Sequence, residues 1–403
     1  MAIDALIVGG GIGGVTAALC LARAGARVRL FEQASDFGEI GAGIQLSPNC
    51  TRVLHHLGLA PALDRIAFLP EGTEMRHWRS GALLSSNVLG AQARTRYGFP
   101  YYHVHRADLM RVLSDAARVE PKIELHTGAR ANGFTERDER IVLDVNGESL
   151  AGDVLIGADG IHSTVHAALF GAERADFTGC VAWRALVPVE RLPKDLVRPV
   201  ATVWWGPRKH FVHYYVRAGQ LVNCVCVVEK RGWETEAWNV RGEHAELAAD
   251  FRGWHSTIET LIDNVDRDAC FKWALFDRPP MPRWSRGRAT LLGDACHPTL
   301  PFMAQGAAMA IEDGAVLAAC LASTVDVPAS LVRYESLRRA RTARIQIGSR
   351  RNARLFHLSG LRAWLRNRAL RAAPGSALPF DELFRYDALS AVAGEPAPTR
   401  DRG

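Results

Sequence analysis

Apolar residues follow two rhythms in this chain, and both occur before Glu32. Ala5-Leu6-Ile7-Val8 is an unbroken apolar run, the pattern of a strand covered on both faces in a parallel sheet. Val15 to Ala24 is rich in Ala and Leu and predicts a helix that Gly25 can end, after which Arg27 to Phe31 returns as a second strand stopping at Glu32. Between the first strand and the helix, Gly9, Gly11 and Gly14 give the spacing Gly-x-Gly-x-x-Gly. The first allows a tight turn, the second lets backbone approach a pyrophosphate, and the third lets helix pack closely on strand. An anion then rests on the helix N-terminus, and the Glu32 carboxylate is placed to accept ribose hydroxyls. A glycine triad alone often marks only a turn. Strand, turn, helix, strand and acid in this order predict a bound dinucleotide.

Beyond this unit the pattern is mixed. Arg106 to Arg118 reads as an amphipathic helix with Ala107, Met110, Leu113 and Ala117 at helical spacing, and Ile123 to His126 as a short strand. Ile141 to Val145 and Val154 to Ile156 flank Asn146-Gly147, a hairpin signal. The nucleotide domain is expected over residues 1–175. From Val181 the chain is strand-like, with Val181 to Val187, Ala201 to Trp205, His210 to Val216 and Leu221 to Val228 separated by proline and glycine turns. An antiparallel-sheet domain is therefore expected over 176–279. Ala289 to Asp294 reads as a buried strand by which the chain returns to the first domain, completing it over 280–330. Residues 331–403 read as a helical segment and a Pro-, Ala- and Gly-rich tail. The predicted fold class is α/β plus α+β, a Rossmann-like domain with an inserted antiparallel-sheet substrate domain and a C-terminal helical segment.

Composition adds further constraints. At 403 residues the chain suits two domains or one with a large insertion. Its eight cysteines, Cys20, Cys50, Cys180, Cys224, Cys226, Cys270, Cys296 and Cys320, form no Cys-x-x-Cys pair and read as reduced core thiols. No basic, apolar leader and no apolar run near the ~18 residues of a membrane span is read, so a cytoplasmic protein is expected, with no membrane partner. The formal charge of +6 fits an enzyme of anionic small molecules as well as a nucleic-acid binder. The run Arg338, Arg339, Arg341, Arg344, Arg350, Arg351 and Arg354 alternates with Leu337, Ile345, Ile347, Leu355 and Leu358, as in a helix packed on one face and solvated on the other, and no nucleic acid is expected. His103 and His105 share a strand face with no third ligand in view, so they read as structural and no metal is expected. No Ser-His-Asp arrangement or phosphate-binding lysine loop competes for the chemistry.

Two further motifs narrow the dinucleotide. Gly157-Ala158-Asp159-Gly160 and Gly293-Asp294-Ala295-Cys296-His297-Pro298, together with the opening unit, resemble the single-component (class A) FAD-dependent aromatic hydroxylases over nearly the whole chain. The likeness is strongest to their salicylate, 3-hydroxybenzoate and 6-hydroxynicotinate members, and it implies the p-hydroxybenzoate hydroxylase-like fold. It also implies the chemistry: NADH or NADPH reduces FAD, dioxygen adds at flavin C4a, and the hydroperoxide oxygenates an electron-rich ring. With one dinucleotide fingerprint, taken by FAD, the nicotinamide binds transiently in a groove. NADH is favoured by the family likeness.

The resemblance assigns the cofactor residues. Gly9, Gly11, Gly13 and Gly14 hold the pyrophosphate with Arg106, which follows the strand Tyr101 to His105. Glu32, Gln33 and Ala131 take the adenosine side, and Gly293 and Asp294 the ribityl chain. Asp159 contacts flavin and serves nicotinamide binding, with a plain turn aspartate or an ion pair of Arg106 with Asp108 as bland alternatives. Pro301 to Asp313 matches the loop and helix start under the flavin ring, where backbone N–H groups of Gly306 and Ala307 stabilise negative charge near N1. Gly41 to Gln45, with Gly43, reads as a flexible loop along the other side.

The substrate strand follows Trp204-Trp205-Gly206-Pro207-Arg208-Lys209. His210 and Tyr214 share one face roughly 13 Å apart at ~3.3 Å per residue, close enough to hold one aromatic ring, while His213 and Tyr215 face away. The family carries a histidine and a tyrosine at these positions, so His210 and Tyr214 are the catalytic candidates, with Gln45, Arg184, Pro301 and Phe302 against the substrate. The chain also departs from its relatives. The 6-hydroxynicotinate enzyme has histidine, cysteine and histidine at Gln45, Val200 and Phe302, and the 3-hydroxybenzoate enzyme has glutamine at Pro301. The sequence therefore specifies a small hydroxylated aromatic or N-heteroaromatic, expected to carry a carboxylate, without naming it. A flavin halogenase or dehydrogenase of related fold is the rival enzyme, although Trp204-Trp205 supplies no Trp-x-Trp-x-Ile-Pro. A non-catalytic flavin- or nucleic-acid-binding protein is the rival class. A monomer or homodimer is expected.

Overall fold

In the computed structural model, residues 3–38, 42–230, 232, 240–372 and 380–393 are described. A six-stranded sheet runs in the order Ser285–Arg286, Ala289–Leu291, Val154–Gly157, Asp4–Val8, Arg27–Glu32, Ile123–Thr127. Its four central pairings are parallel, with Ile7 opposite both Ile156 and Leu30. The apolar runs are explained by cover on both faces: Leu6, Ile7, Leu155 and Ile156 are fully buried. The carboxyl ends of the five parallel strands lie along one edge, so the turns after Val8, Glu32, Gly157 and Leu291 gather there.

The Asn146-Gly147 turn forms, but its partner strands are Arg140–Val145 and Glu148–Gly152. Val154 to Ile156 instead enters the large sheet, because a strand buried on both faces must be apolar, whereas the exposed hairpin strand Glu148–Gly152 is not.

A seven-stranded sheet runs in the order Cys270–Asp277, Asp176–Pro188, Leu221–Glu229, Lys209–Val216, Val200–Gly206, Gly72–His77, Leu83–Val88. The last two strands precede the inserted segment, and Gly72–His77 pairs parallel with Val200–Gly206. Sequence reasoning found neither. Gly72–His77 lacks clean alternation because Glu74 is buried in it, a charge tolerated only through ion pairs with Arg76 and Arg198. One face of the sheet packs Phe211, Val222 and Trp204 under Phe251, Trp254, Ile258 and Leu261 of the helical segment at 244–263. The other face carries Trp205, Val225 and Val227 toward Leu300, Phe302 and Phe356 of the nucleotide half.

The arginine-rich helix Val327–Phe356 departs from its expected pattern. Arg338 and Arg341 lie on the packed face, where Arg338 meets Glu312 and Asp313 at 2.7 Å each and Arg341 meets Glu312 at 2.8 Å. Ile347 is exposed. The helix is held by buried ion pairs to Gly306–Ser323, and removing one member of such a pair costs ~3–5 kcal/mol. Gly306–Ser323 is also long and apolar enough to cross a membrane, contrary to the expectation of no such run; 72% of it is buried inside the fold as a core helix.

Candidate active site

The glycine turn is built for two jobs. Gly9 has φ +105°, and a Cβ there would meet the Ala158 carbonyl oxygen at 2.4 Å, so the turn is closed by Gly157–Asp159. A Cβ on Gly14 would lie 1.9 Å from the Gly9 oxygen, and one on Gly13 would meet Leu292 at 2.7 Å and Ala310 at 3.1 Å. The missing side chain at Gly13 thus lets its helix pack closely on Leu292 and Ala310. At Gly11 a Cβ meets nothing within 4 Å. That space lies in front of a helix Ile12–Arg23 with no side-chain cap and no acidic residue in its first turn, the arrangement a pyrophosphate needs. Glu32 is oriented by N–H groups of Gly10 at 2.7 Å and Ala34 at 2.8 Å. Gln33 is exposed beside it, and Ala131 is buried at the start of strand Ala131–Arg137, adjoining the Ala129 N–H that donates to the Glu32 carbonyl. These residues fit the adenosine diphosphate half of FAD.

Arg106 opens helix Arg106–Val119, and burial pushes its pKa down against the pull of Asp294. Asp294 is solvent-exposed between buried neighbours. Desolvation raises its pKa while His297 and Arg106 lower it. A cation and an anion facing one cleft suit the pyrophosphate and ribityl hydroxyls. Asp159 behaves differently. It accepts from the N–H groups of Thr164 at 2.7 Å and Val165 at 3.3 Å and from the Ser163 hydroxyl, holding the start of helix Thr164–Phe170, the plain structural alternative.

Gly306 and Ala307 begin helix Gly306–Ser323, whose first turn also lacks an acidic residue and a side-chain cap. Its N-terminus is tethered: Gln305 Nε2 donates to Ser47 Oγ at 3.0 Å, and Asn49 Nδ2 donates to Gln305 at 3.1 Å and to Glu312 at 2.6 Å. Gly293 N–H donates to Asp313, which also takes His297 Nε2 at 2.6 Å. Burial alone would raise the Asp313 pKa, but His297 and Arg338 hold it down to about 2. Nothing in sequence spacing signalled this network, whose partners lie up to 263 residues apart.

The substrate strand presents its even-numbered residues to the nucleotide half. Register sets them in rows: Trp205, His210, Val227 and Ala182; then Val203, Val212, Val225 and Arg184; then Tyr214, Asn223 and Leu186. His210, Arg184 and Tyr214 therefore share a face. His210 is buried against Phe302 at 5.1 Å and Phe356 at 5.4 Å between ring centroids, and burial together with His357 pushes its pKa well below the ordinary value. Phe302 sits in the turn Pro301–Met303, with Pro301 half-buried before it.

Tyr214 lies 4.5 Å from the ring of His103, which burial pushes down to about 3 and hence keeps neutral. Gly41 lies outside the described residues, and Gly43–Leu46 is a strand paired with Tyr102–His105 rather than a flexible loop. Gly43 donates to Asn223 at 2.6 Å, and its Cβ would lie 2.8 Å from Tyr214, so Gly43 packs against these two side chains. Gln45 accepts from the Tyr101 hydroxyl at 2.7 Å. Arg184 stacks over Trp273 at 4.6 Å and has no ion-pair partner among the described residues. Burial lowers its pKa to about 10, Tyr214 pulling up and Arg106 pushing down. It remains a cation on the sheet face of His210 and Tyr214. Sequence reasoning missed Asn223, His357 and the placement of His103 against Tyr214.

Comparison with known proteins gives the family. Residues 2–347 match the model of the FAD binding domain family. A 3-amino-4-hydroxybenzoate 2-monooxygenase of Streptomyces platensis is 42% identical over 370 residues, 91% of this chain and 92% of the relative. The 3-hydroxybenzoate 6-hydroxylase of Polaromonas naphthalenivorans (strain CJ2) is 39% identical, covering 91% of each. The crystal structure of Klebsiella pneumoniae HpxO complexed with FAD and uric acid superposes with TM-score 0.84 at 27% identity, covering 97% of both chains.

Proposed function

Since the chain belongs to the FAD binding domain family and is an FAD-dependent aromatic monooxygenase, we propose that its substrate is a small hydroxylated aromatic or N-heteroaromatic carboxylate, such as a hydroxybenzoate or hydroxynicotinate, bound between the flavin site and the face bearing His210, Arg184 and Tyr214. The observation that carries this is Arg184, a cation on that face with no ion-pair partner among the described residues. Arg106 stands near enough to repel it, and an anionic ligand relieves that repulsion.

FAD, when bound and reduced by NAD(P)H, activates dioxygen and delivers one oxygen atom to the ring. Gly11, Glu32, Arg106, Asp294, Gly306 and Ala307 are the residues that would hold it. Arg184 holds the carboxylate, Tyr214 orients the ring beside Gly43 and His103, and Phe302 and Pro301 close the chamber against water. Neutral His210 accepts the ring hydroxyl's proton, which makes the ring a stronger electron donor. The nicotinamide binds transiently, and the protein works in the cytoplasm as a monomer or homodimer. The arginines Arg338, Arg341 and Arg350 serve ion pairs of the fold rather than nucleic acid.

The test compares 3-hydroxybenzoate and 3-amino-4-hydroxybenzoate with the same rings lacking the carboxylate. Faster NADH oxidation with hydroxylated product from the acids only is expected. Equal turnover of the decarboxylated rings would refute the carboxylate assignment.

A further inference from the structure

The His210 ring is the first member of a chain. Its Nδ1 lies 2.9 Å from Nε2 of His357, and His357 Nδ1 lies 3.0 Å from Oε1 of Glu229. The three residues come from strand Lys209–Val216, from the position after helix Val327–Phe356, and from the end of strand Leu221–Glu229. His210 and His357 are buried, whereas the Glu229 side chain is 36% exposed and its second oxygen meets Arg208 at 3.1 Å. The chain thus leads from the substrate chamber to the surface.

The direction of its hydrogen bonds follows from chemistry. A carboxylate offers only acceptors, so His357 donates from Nδ1, and its Nε2 is then the lone-pair nitrogen of a neutral ring. That nitrogen must accept from His210 Nδ1–H, which leaves the lone pair of His210 on Nε2. No described residue hydrogen-bonds that atom.

We propose that Glu229, His357 and His210 form a proton relay that conducts the substrate hydroxyl's proton between the chamber and the protein surface. This rests on the reading of His210 as the base. The substrate O–H bond breaks and its proton bonds to His210 Nε2. The Nδ1 proton of His210 passes to His357 Nε2, the Nδ1 proton of His357 passes to Glu229 Oε1, and the negative charge moves from Glu229 to the substrate oxygen. Reversal returns the proton when the product ring rearomatises. Neither histidine ends as a cation. That resolves a difficulty, because burial disfavours imidazolium at both rings and a buried histidine acting alone would have to hold that charge. Glu229 and His357 are positioning residues that act through His210. The charged or titratable groups facing the chain from neighbouring elements are Arg208 on Glu229, Arg366 near His357 and Cys180 near Glu229.

The test uses the FAD-loaded protein without NADH. 3-Hydroxybenzoate is bound, and its phenolate absorbance is titrated with pH in wild type, His210→Ala, His357→Gln, Glu229→Gln and Glu229→Asp, with benzoate as a ligand lacking the hydroxyl. Glu229→Gln keeps an acceptor for His357 but cannot take up a proton. It should lower the bound phenolate fraction near neutral pH by about tenfold or more and slow hydroxylation in parallel, with benzoate affinity within about twofold of wild type and partial rescue in Glu229→Asp. His357→Gln serves equally should Glu229→Gln fail to retain flavin. Wild-type phenolate titrations in Glu229→Gln and His357→Gln, with a loss only in His210→Ala, would overturn the relay and leave the base standing. Wild-type titration in His210→Ala as well would overturn both.

Discussion

Replacing Arg184 by Met removes the guanidinium while keeping an unbranched side chain over Trp273, so the perturbation is mainly one of charge. Hydrogen bonds to a charged group contribute ~1.5–3 kcal/mol, and no carboxylate among the described residues competes for this one. At ~1.4 kcal/mol per decade, the affinity for a ring carboxylate should fall roughly 10- to 150-fold. The same ring without its carboxylate should bind the variant as it binds wild type, because the contacts of Phe302 and Tyr214 are untouched. Arg184→Lys keeps the charge but loses the planar fork, and should fall between the two. The assay is the flavin absorbance difference on titrating FAD-loaded protein with 3-hydroxybenzoate and with phenol, flavin content being measured in each sample. An unchanged dissociation constant for the acid, or an equal loss for acid and phenol, would refute the assignment of Arg184 to the carboxylate.

Three other outcomes follow from the same geometry. Gly11→Val places side-chain carbon in the space that no described atom fills and should give colourless protein by flavin absorbance; a stoichiometrically yellow variant would show that the pyrophosphate lies elsewhere. His210→Ala should lower hydroxylation by roughly 10² to 10⁴ with flavin retained, while Tyr214→Phe should cost only ~1–3 kcal/mol, both measured as coupled product; wild-type rate and coupling in His210→Ala would remove the histidine from the chemistry. The folded-state pKa of Asp313, about 2, lies below the usual ~3.9, so its contribution of ~2–3 kcal/mol is complete above about pH 4 and is lost as pH falls through 2. Urea unfolding between pH 2 and 4 should therefore be less pH-dependent in Asp313→Asn, and equal slopes would exclude this residue as the cause.

The opening unit was legible because one short segment holds strand, turn, helix and acid, and local spacing alone sets their register. The same spacing could not separate Gly11, where a side chain would meet no described atom, from Gly13, where one would meet Leu292 and Ala310, because direction depends on the helix that packs across it. Strand parity put His210 and Tyr214 on one face, and the ladders show that face joined by Arg184 through Val225. The strand Gly72–His77 escaped notice because buried Glu74 broke its alternation. Arg338 and Arg341 were read as solvated because charge usually is, whereas their carboxylates sit on a helix that begins at Gly306. His357 lies 147 residues from His210, and only the folded chain joins them.

The central claim is that this chain inserts one atom of dioxygen into the ring of a hydroxylated aromatic acid held at the His210, Arg184 and Tyr214 face. Mass spectrometry of the product formed from 3-hydroxybenzoate or 3-amino-4-hydroxybenzoate under ¹⁸O₂ with NADH tests it most directly. The account predicts one ¹⁸O atom in the product, lost together with product in His210→Ala. NADH consumption that yields only peroxide with every hydroxylated aromatic acid, or product oxygen drawn from water, would contradict it.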